Sequence, residues 1–374
     1  IAALQTAGQK ELSGGNAFKL YDTYGFPWEL TEEILRENGL TLDQPGFEAA
    51  MQAQRERARA ARQENQRVAV PDLRNLDVGG LRQDFSATES KVVAIWKDGQ
   101  LVDALNDGEE AGIITDVTPF YAEGGGQVGD TGLLLGELGR LRVTNAKKLP
   151  DGTIYHIAYM EEGRLQVGER VRMTVDAAKK LASARNHTAT HLLQAALKRV
   201  VGDQVNQAGS LVTPERLRFD FSNFEPVSPQ QLADVEELVN SVILRGQDVV
   251  IQQMKQEEAR KLGAMALFGE KYGDIVRVVT VPGFSMEFCG GSHVSNVGQI
   301  GMFKILSETG VAAGVRRIEA ITGGAALAWA KKRLVALDEA AVLLKCQPDD
   351  VTARLTAVLD EDKDMRQKLD AVRK

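Results

Sequence analysis

The chain has 374 residues, 43% of them hydrophobic, and a formal charge of −7. It is long enough for more than one domain with a real core, and its acidity excludes a general polyanion binder. No run approaches 18 uncharged apolar residues, so no membrane partner is expected, and two cysteines, Cys289 and Cys346, exclude a disulfide framework. The opening Ile-Ala-Ala-Leu-Gln has neither an initiator Met nor a signal-peptide pattern, so a piece of a longer, cytoplasmic protein is expected.

Helical spacing dominates the first seventy residues. Pro27 opens a helix ended by Asn38-Gly39, and a second is expected from Gly46 to Arg67, its Arg-, Gln- and Glu-rich outer half a solvated spacer. From about 71 to 175, β-branched runs alternate with Asp98-Gly99, Asp107-Gly108 and Asp151-Gly152, which predicts a small antiparallel barrel. Within it, Gly124, Gly125, Gly126, Gly129 and Gly132 follow no nucleotide-binding fingerprint. A backbone built to approach a phosphate or ribose and a tight barrel loop explain them equally well.

Asp176 to Val201 reads as one long helix whose apolar stripe is Leu193, Ala196, Leu197 and Val200. His187 and His191, at i and i+4, share the roughly opposite face. Strands at about 207–212, 216–221, 249–255, 275–281 and 301–307, with a helix from Ser228-Pro229 to Leu244 and a short one at 256–266, predict an α+β unit on one antiparallel sheet. After Gly324, Leu327, Leu334, Leu337 and Leu344, then Leu355, Met365 and Leu369, repeat at heptad spacing and predict a helical hairpin or coiled coil.

The chemistry-bearing stretch is Glu287 to Val294. Cys289 and His293 are four apart, and Gly290 and Gly291 let the backbone turn so that both donors face one ion. His187 and His191 supply the other half of a four-donor zinc set, so one Zn2+ per chain is expected. The competing reading, ordinary histidines and a small buried cysteine, needs scarce ligand types to coincide at two metal spacings. Lys179, Lys180, Arg185, Arg316 and Arg317 flank this set in sequence and are the candidate basic face through which an acidic chain would hold a polyanion. His156 has no partner motif and reads as structural.

Several stretches carry a resemblance: Asn186 to Leu193, Gln207 to Ser210 with Leu217 to Asp220, Gly263 to Tyr272, Cys289 to His293 and Gly314 to Ala320 resemble the editing domain of bacterial alanyl-tRNA synthetases. The zinc pattern is also similar to that of free-standing AlaX editing proteins and of the second N-terminal domain of threonyl-tRNA synthetase. Phe18 to Pro27 resembles the end of the synthetase's helical tRNA-recognition region, and the glycine loop resembles the glycine motif of the editing barrel.

The resemblance implies a multidomain α/β mixture: a helical end of the tRNA-recognition region (1–70), a small antiparallel β-barrel with the Gly-rich loop (71–176), an α+β zinc editing domain (177–323) and a helical hairpin or coiled-coil linker (324–374). It implies hydrolysis of the ester joining a wrong Ser or Gly to the 3′ adenosine of tRNA(Ala), inside a cytoplasmic alanine–tRNA ligase. The class II aminoacylation domain, with its ATP and Mg2+, is expected upstream of residue 1, and oligomerisation through a C-terminal module beyond residue 374. Thr190 and Gln207 match polar positions of the family's pocket and, with Asp220, make up the expected catalytic set. Asp220 and Lys271 are candidates for contacts to substrate or to the 3′ end. The partner is the acceptor end of tRNA(Ala), met by Gly124, Gly125, Gly126 and Gln127, with Arg316 and Arg317 suited to phosphates. Two alternatives share the ligands: a zinc-stabilised RNA-binding module without activity, and a zinc hydrolase acting on a small ester or amide.

Overall fold

The computed structural model describes residues 9–24, 28–53, 82–85, 87–266 and 272–373. At the N-terminal end, β1 (Glu11–Leu12), α1 (Gly14–Tyr24) and α2 (Trp28–Glu37) lead to β2 (Thr41–Leu42), which pairs in parallel with β1. Phe47, from a helical stretch at 44–53, holds this part together, its ring 6.2 Å from Phe18, 5.7 Å from Tyr21 and 6.1 Å from Trp28. Gly14 permits that approach, because a Cβ there would lie 2.0 Å from the Phe47 amide nitrogen. The expected spacer at 54–67 and Pro27, expected to open a helix, lie outside the described residues.

The next stretch contains β3 (Arg82–Gln83), β4 (Glu89–Lys97), β5 (Gln100–Val102), β6 (Ala104–Asn106), β7 (Glu110–Thr115), β8 (Val117–Thr118), β9 (Gly132–Leu135), β10 (Gly139–Lys148), β11 (Ile154–Gln166) and β12 (Arg170–Val175). The order β10-β9-β12-β4-β7-β11 returns to β10, so six strands close a barrel. Alternation drives closure: in β12, Val171 and Met173 point inward while Arg170, Arg172 and Thr174 face out. Leu134, Leu141 and Met160 complete a core into which His156 is also built, its Nε2 2.7 Å from Thr118 Oγ1 and its Nδ1 2.9 Å from the Ile113 carbonyl.

Beyond the barrel, α3 (Ala177–Val200) starts at Asp176, whose side chain accepts from the Lys179 amide at 3.0 Å. Every residue from Asn186 to Leu197 is buried, so α3 is enclosed on both faces. β13 (Gln207–Val212) and β14 (Leu217–Ser222) follow, then α4 (Pro229–Leu244), opened by a capping box between Ser228 and Gln231 and buried through Val235, Val239 and Val242. The chain continues through β15 (Val250–Lys255), α5 (Gln256–Lys261), β16 (Ile275–Val281), β17 (Ser285–Phe288), β18 (Phe303–Ala312) and β19 (Val315–Thr322).

Two sheets stand where one was expected. A four-stranded sheet, β13-β14-β19-β18, packs Phe219, Ile318 and Phe303 against α3 and α4, while β15-β16-β17 forms a separate sheet over a small core of Ala259, Val276 and Phe288. The expectation failed at β17 and β19, whose embedded charges Glu287, Arg316, Arg317 and Glu319 hide the alternation.

The chain ends in α6 (Gly323–Leu344) and α7 (Val351–Arg373), which touch each other. They are separated at Lys345, which adopts the left-handed region at φ 55°, and at Pro348. The heptad leucines Leu334, Leu355 and Leu369 stay exposed, so the described residues supply no core for them. Among the described residues no helix is long and apolar enough to cross a membrane.

Candidate metal centre and adjoining cavity

The apolar stripe of α3 faces the four-stranded sheet, which turns His187 and His191 toward the glycine turn that follows β17. Cys289 Sγ lies 3.3 Å from His187 Nε2 and 3.2 Å from His293 Nε2. One donor atom from each of His187, His191, Cys289 and His293 lies within 4.8 Å of the other three. Donors at ordinary zinc bond lengths on a tetrahedron would be separated by roughly 3.3–3.8 Å, so the set fits one ion with small adjustment. Burial, reinforced by the positive Arg277, pushes the His187 imidazole down to about 4, and burial, reinforced by the neighbouring rings and then by Arg277, holds His191 and His293 well below the usual range. All three rings are therefore neutral at pH 7 and present lone pairs, as a metal requires.

The turn and the rings are held from several directions. Gly291 is a glycine by necessity, since a Cβ would lie 2.0 Å from His187 Cε1. Thr188 Oγ1 donates to the Ala184 carbonyl at 3.0 Å, accepts from the Val294 amide at 3.2 Å and lies 3.1 Å from His293 Nδ1. Gln127 reaches in from the barrel: its Oε1 is 2.7 Å from His187 Nδ1 and accepts from the Ser292 amide at 2.8 Å.

Beside the donors lies a cavity of about 70 Å³, room for a few water molecules. Gly125, His187, Thr190, His191, Gln207 and Cys289 are among the residues that line it. Thr190 donates its hydroxyl hydrogen to the Asn186 carbonyl at 2.8 Å, which leaves its oxygen able to accept. Gln207 is half-buried at the start of β13.

The remaining sequence candidates lie elsewhere. Asp220 is outside the lining; its carboxylate takes the guanidinium fork of Arg317 at 2.7 and 2.9 Å. Arg316 forks onto Glu308 at 2.6 and 2.7 Å. Lys180 pairs with the buried Asp130 at 2.7 Å, Lys179 stands 4.0 Å from Asp176, and Arg185 donates to the Gln299 carbonyl at 2.6 Å. Every cation of the expected basic face thus has a partner. Lys271 lies outside the described residues. Of the glycine loop, Gly125 faces the cavity, whereas Gly126, Gly129 and Gly132 are spent on close approach to protein: a Cβ on each would lie 2.7 Å from Ser210 O, 2.3 Å from Ala146 O and 2.1 Å from Thr174 O.

Two residues escaped the sequence reading. Arg277 in β16 donates to the carbonyls of Cys289 at 2.7 Å and Gly291 at 2.9 Å, clamping the turn. Glu287 in β17 sits with Oε2 3.7 Å from His191 Nδ1, and burial pushes its carboxyl up to about 8. Each is a lone charge in an otherwise apolar or short strand, and that is the signal that would have found them.

A four-donor His/Cys cluster that could hold a metal ion stands beside a small cavity, with a glycine loop from the barrel at its edge. Residues 1–179 match the family model "tRNA synthetases class II (A)", and residues 276–319 match "Threonyl and Alanyl tRNA synthetase second additional domain". The chain is 48% identical to an alanine–tRNA ligase of Alkaliphilus oremlandii over 97% of its length and 42% of that protein's. It is 49% identical to the ligase of Geobacillus kaustophilus, over 98% of the chain and 42% of that protein. For the ligase of Clostridioides difficile the identity is 47%, over 99% of the chain and 43% of that protein. The chain belongs to the alanyl-tRNA synthetase family. It spans less than half the length of these relatives. The class II match also corrects one expectation: it begins at residue 1 and takes in the N-terminal helices and the barrel, so the class II region is not confined to what precedes the chain, and the chain is more than an editing piece.

Proposed function

We propose that this chain provides the proofreading step of an alanine–tRNA ligase, hydrolysing the ester of Ser or Gly wrongly joined to the 3′ end of tRNA(Ala). The observation that carries the reading is the convergence of His187, His191, Cys289 and His293 on one another, three of them lining a cavity shared with Thr190 and Gln207. Zn2+ held by the four donors would polarise the ester carbonyl or lower the pKa of a water. The chain's own residues do the sorting. A cavity this small admits only a small aminoacyl group, and Thr190 and Gln207 can pair with a serine hydroxyl, so that alanine would leave them unpaired; such a site rejects the analogue by about 10⁴–10⁵.

The division into a helical segment (1–70), barrel (71–176), zinc domain (177–323) and helical linker (324–374) is part of this reading, as are the tRNA(Ala) acceptor end as partner, kinship with AlaX proteins and the threonyl enzyme's zinc domain, and a cytoplasmic setting. The whole protein would charge tRNA with alanine, using ATP and Mg2+. Four protein donors also describe a closed structural zinc site, which favours a second reading, an RNA-binding module without activity. Deacylation of Ser-, Gly- and Ala-charged tRNA(Ala) decides. Release of Ser faster than Ala, abolished in Thr190→Val with Gln207→Leu, is expected; Gly, which like Ala has no hydroxyl, can be favoured over Ala only by its smaller size. No release at saturating tRNA sinks the proposal and leaves the module.

A further inference from the structure

We infer that Gln127 is a positioning residue of the metal centre: delivered by the barrel, it fixes His187 in the tautomer that leaves Nε2 free to bind metal, and it locks the glycine turn that carries the other two donors. The inference rests on the metal reading above. It begins with a question of donors and acceptors. The Ser292 amide lies 2.8 Å from Gln127 Oε1, and an amide nitrogen can only donate, so that atom is the carboxamide oxygen and the side chain is not flipped. The carboxamide nitrogen, 3.2 Å from Ser292 Oγ, donates there. His187 Nδ1 lies 2.7 Å from the same oxygen and must therefore carry the ring proton. Nε2 is then the lone pair, and it is the ring atom that faces Cys289 Sγ at 3.3 Å. Hydrogen bonding of the distal nitrogen is the usual way a metal-binding histidine is fixed in tautomer and ring orientation.

The barrel is built to deliver this side chain. Gly125 and Gly126, at φ 58° and 81°, form a two-residue turn closed by Gly124 N to Gln127 O at 3.1 Å and Gln127 N to Gly124 O at 3.0 Å. The turn is then clamped to β13 by Val212 N to Gly126 O at 2.7 Å and Val128 N to Val212 O at 3.0 Å. Gln127 ends 1% exposed, too buried to read a nucleic acid directly. Two glycines make room: a Cβ on Gly126 would meet Ser210 O, and one on Gly291 would stand 3.0 Å from Gln127 Oε1 as well as against His187. The metal centre is thereby completed by a residue from the class II match, 60 positions before His187 and 165 before Ser292.

The test separates orientation from mere packing. In metal-free protein, the nitrogen resonances of His187, identified by their loss in His187→Gln, should report the Nδ1–H tautomer in the wild type and in Gln127→Glu, which keeps the acceptor. In Gln127→Leu, which keeps the bulk and removes it, the ring should populate both tautomers. Competition with a zinc chelator should show affinity about 10–100-fold weaker in Gln127→Leu and nearly unchanged in Gln127→Glu. An Nε2–H ring in the wild type overturns the inference without any variant, and so does Gln127→Leu with wild-type tautomer and affinity. Failure of the wild type to take up zinc would sink the metal reading alone, because the tautomer is read without metal.

Discussion

His156 shows how a buried ring, away from any chemistry, writes a pH dependence into the fold. Full burial pushes its pKa down to about 4, against the hydrogen bond to the Ile113 carbonyl, which favours the proton. The unfolded chain, with a histidine pKa near 6.5, binds this proton first, so between those values unfolding takes up a proton that folding excludes. Stability is therefore complete above about pH 6.5 and falls as pH drops toward 4, by at most about 3 kcal/mol at 1.36 kcal/mol per unit. Urea midpoints of wild type and His156→Phe should converge over that window; a difference independent of pH would contradict the assignment. The structural role of His156 was legible from its isolation among the motifs, and the donor set was legible because its spacings are local. Glu287 and Arg277 were passed over although each is a lone charge in its strand, because their partners, His191 for one and the carbonyls of Cys289 and Gly291 for the other, come within reach only in the assembled sheets.

Helix α4 is the element the sequence described best, and the reason is that its signals are all within three residues of its start. Ser228 Oγ accepts from the Gln231 amide at 3.2 Å and Gln231 Oε1 accepts from the Ser228 amide at 3.0 Å, with Pro229 at the first helical position. Ser228→Ala should lower stability by about 0.5–2 kcal/mol, read as a fall in thermal midpoint without loss of helical signal in the native state. A midpoint equal to the wild type would mean that this end frays already. β19 is the opposite case. Its register against β14 pairs Arg317 with Asp220 and Arg316 with Phe221, so charges that look like a solvated run are placed by a partner strand almost a hundred residues earlier. Nothing local in Val-Arg-Arg-Ile-Glu announces that partner, and the single expected sheet became two for the same reason.

A chain of charge −7 meets a polyanion only through cations that are not already committed. Arg316 and Arg317 are committed, to Glu308 and Asp220, and both are held above their ordinary values first by those hydrogen bonds. Replacing both by Gln should lower the thermal midpoint and leave the salt dependence of tRNA binding within about one unit of the wild-type slope. Flattening by about two units, roughly 0.9 for each lost phosphate contact on duplex, would instead make them part of the RNA interface. The spacing of the donors has a consequence for how the chain comes apart. Cys289 and His187 are 102 positions apart, and the barrel lies wholly before the first of them. An ion that kept hold of both after unfolding would be a detachable cross-link, closing a loop of about a hundred residues around most of the half that carries the four donors while leaving the barrel untethered. By the arithmetic of covalent cross-links such a loop restrains the unfolded chain by on the order of 4–5 kcal/mol, so the two halves would part company in the order in which the tether lets go.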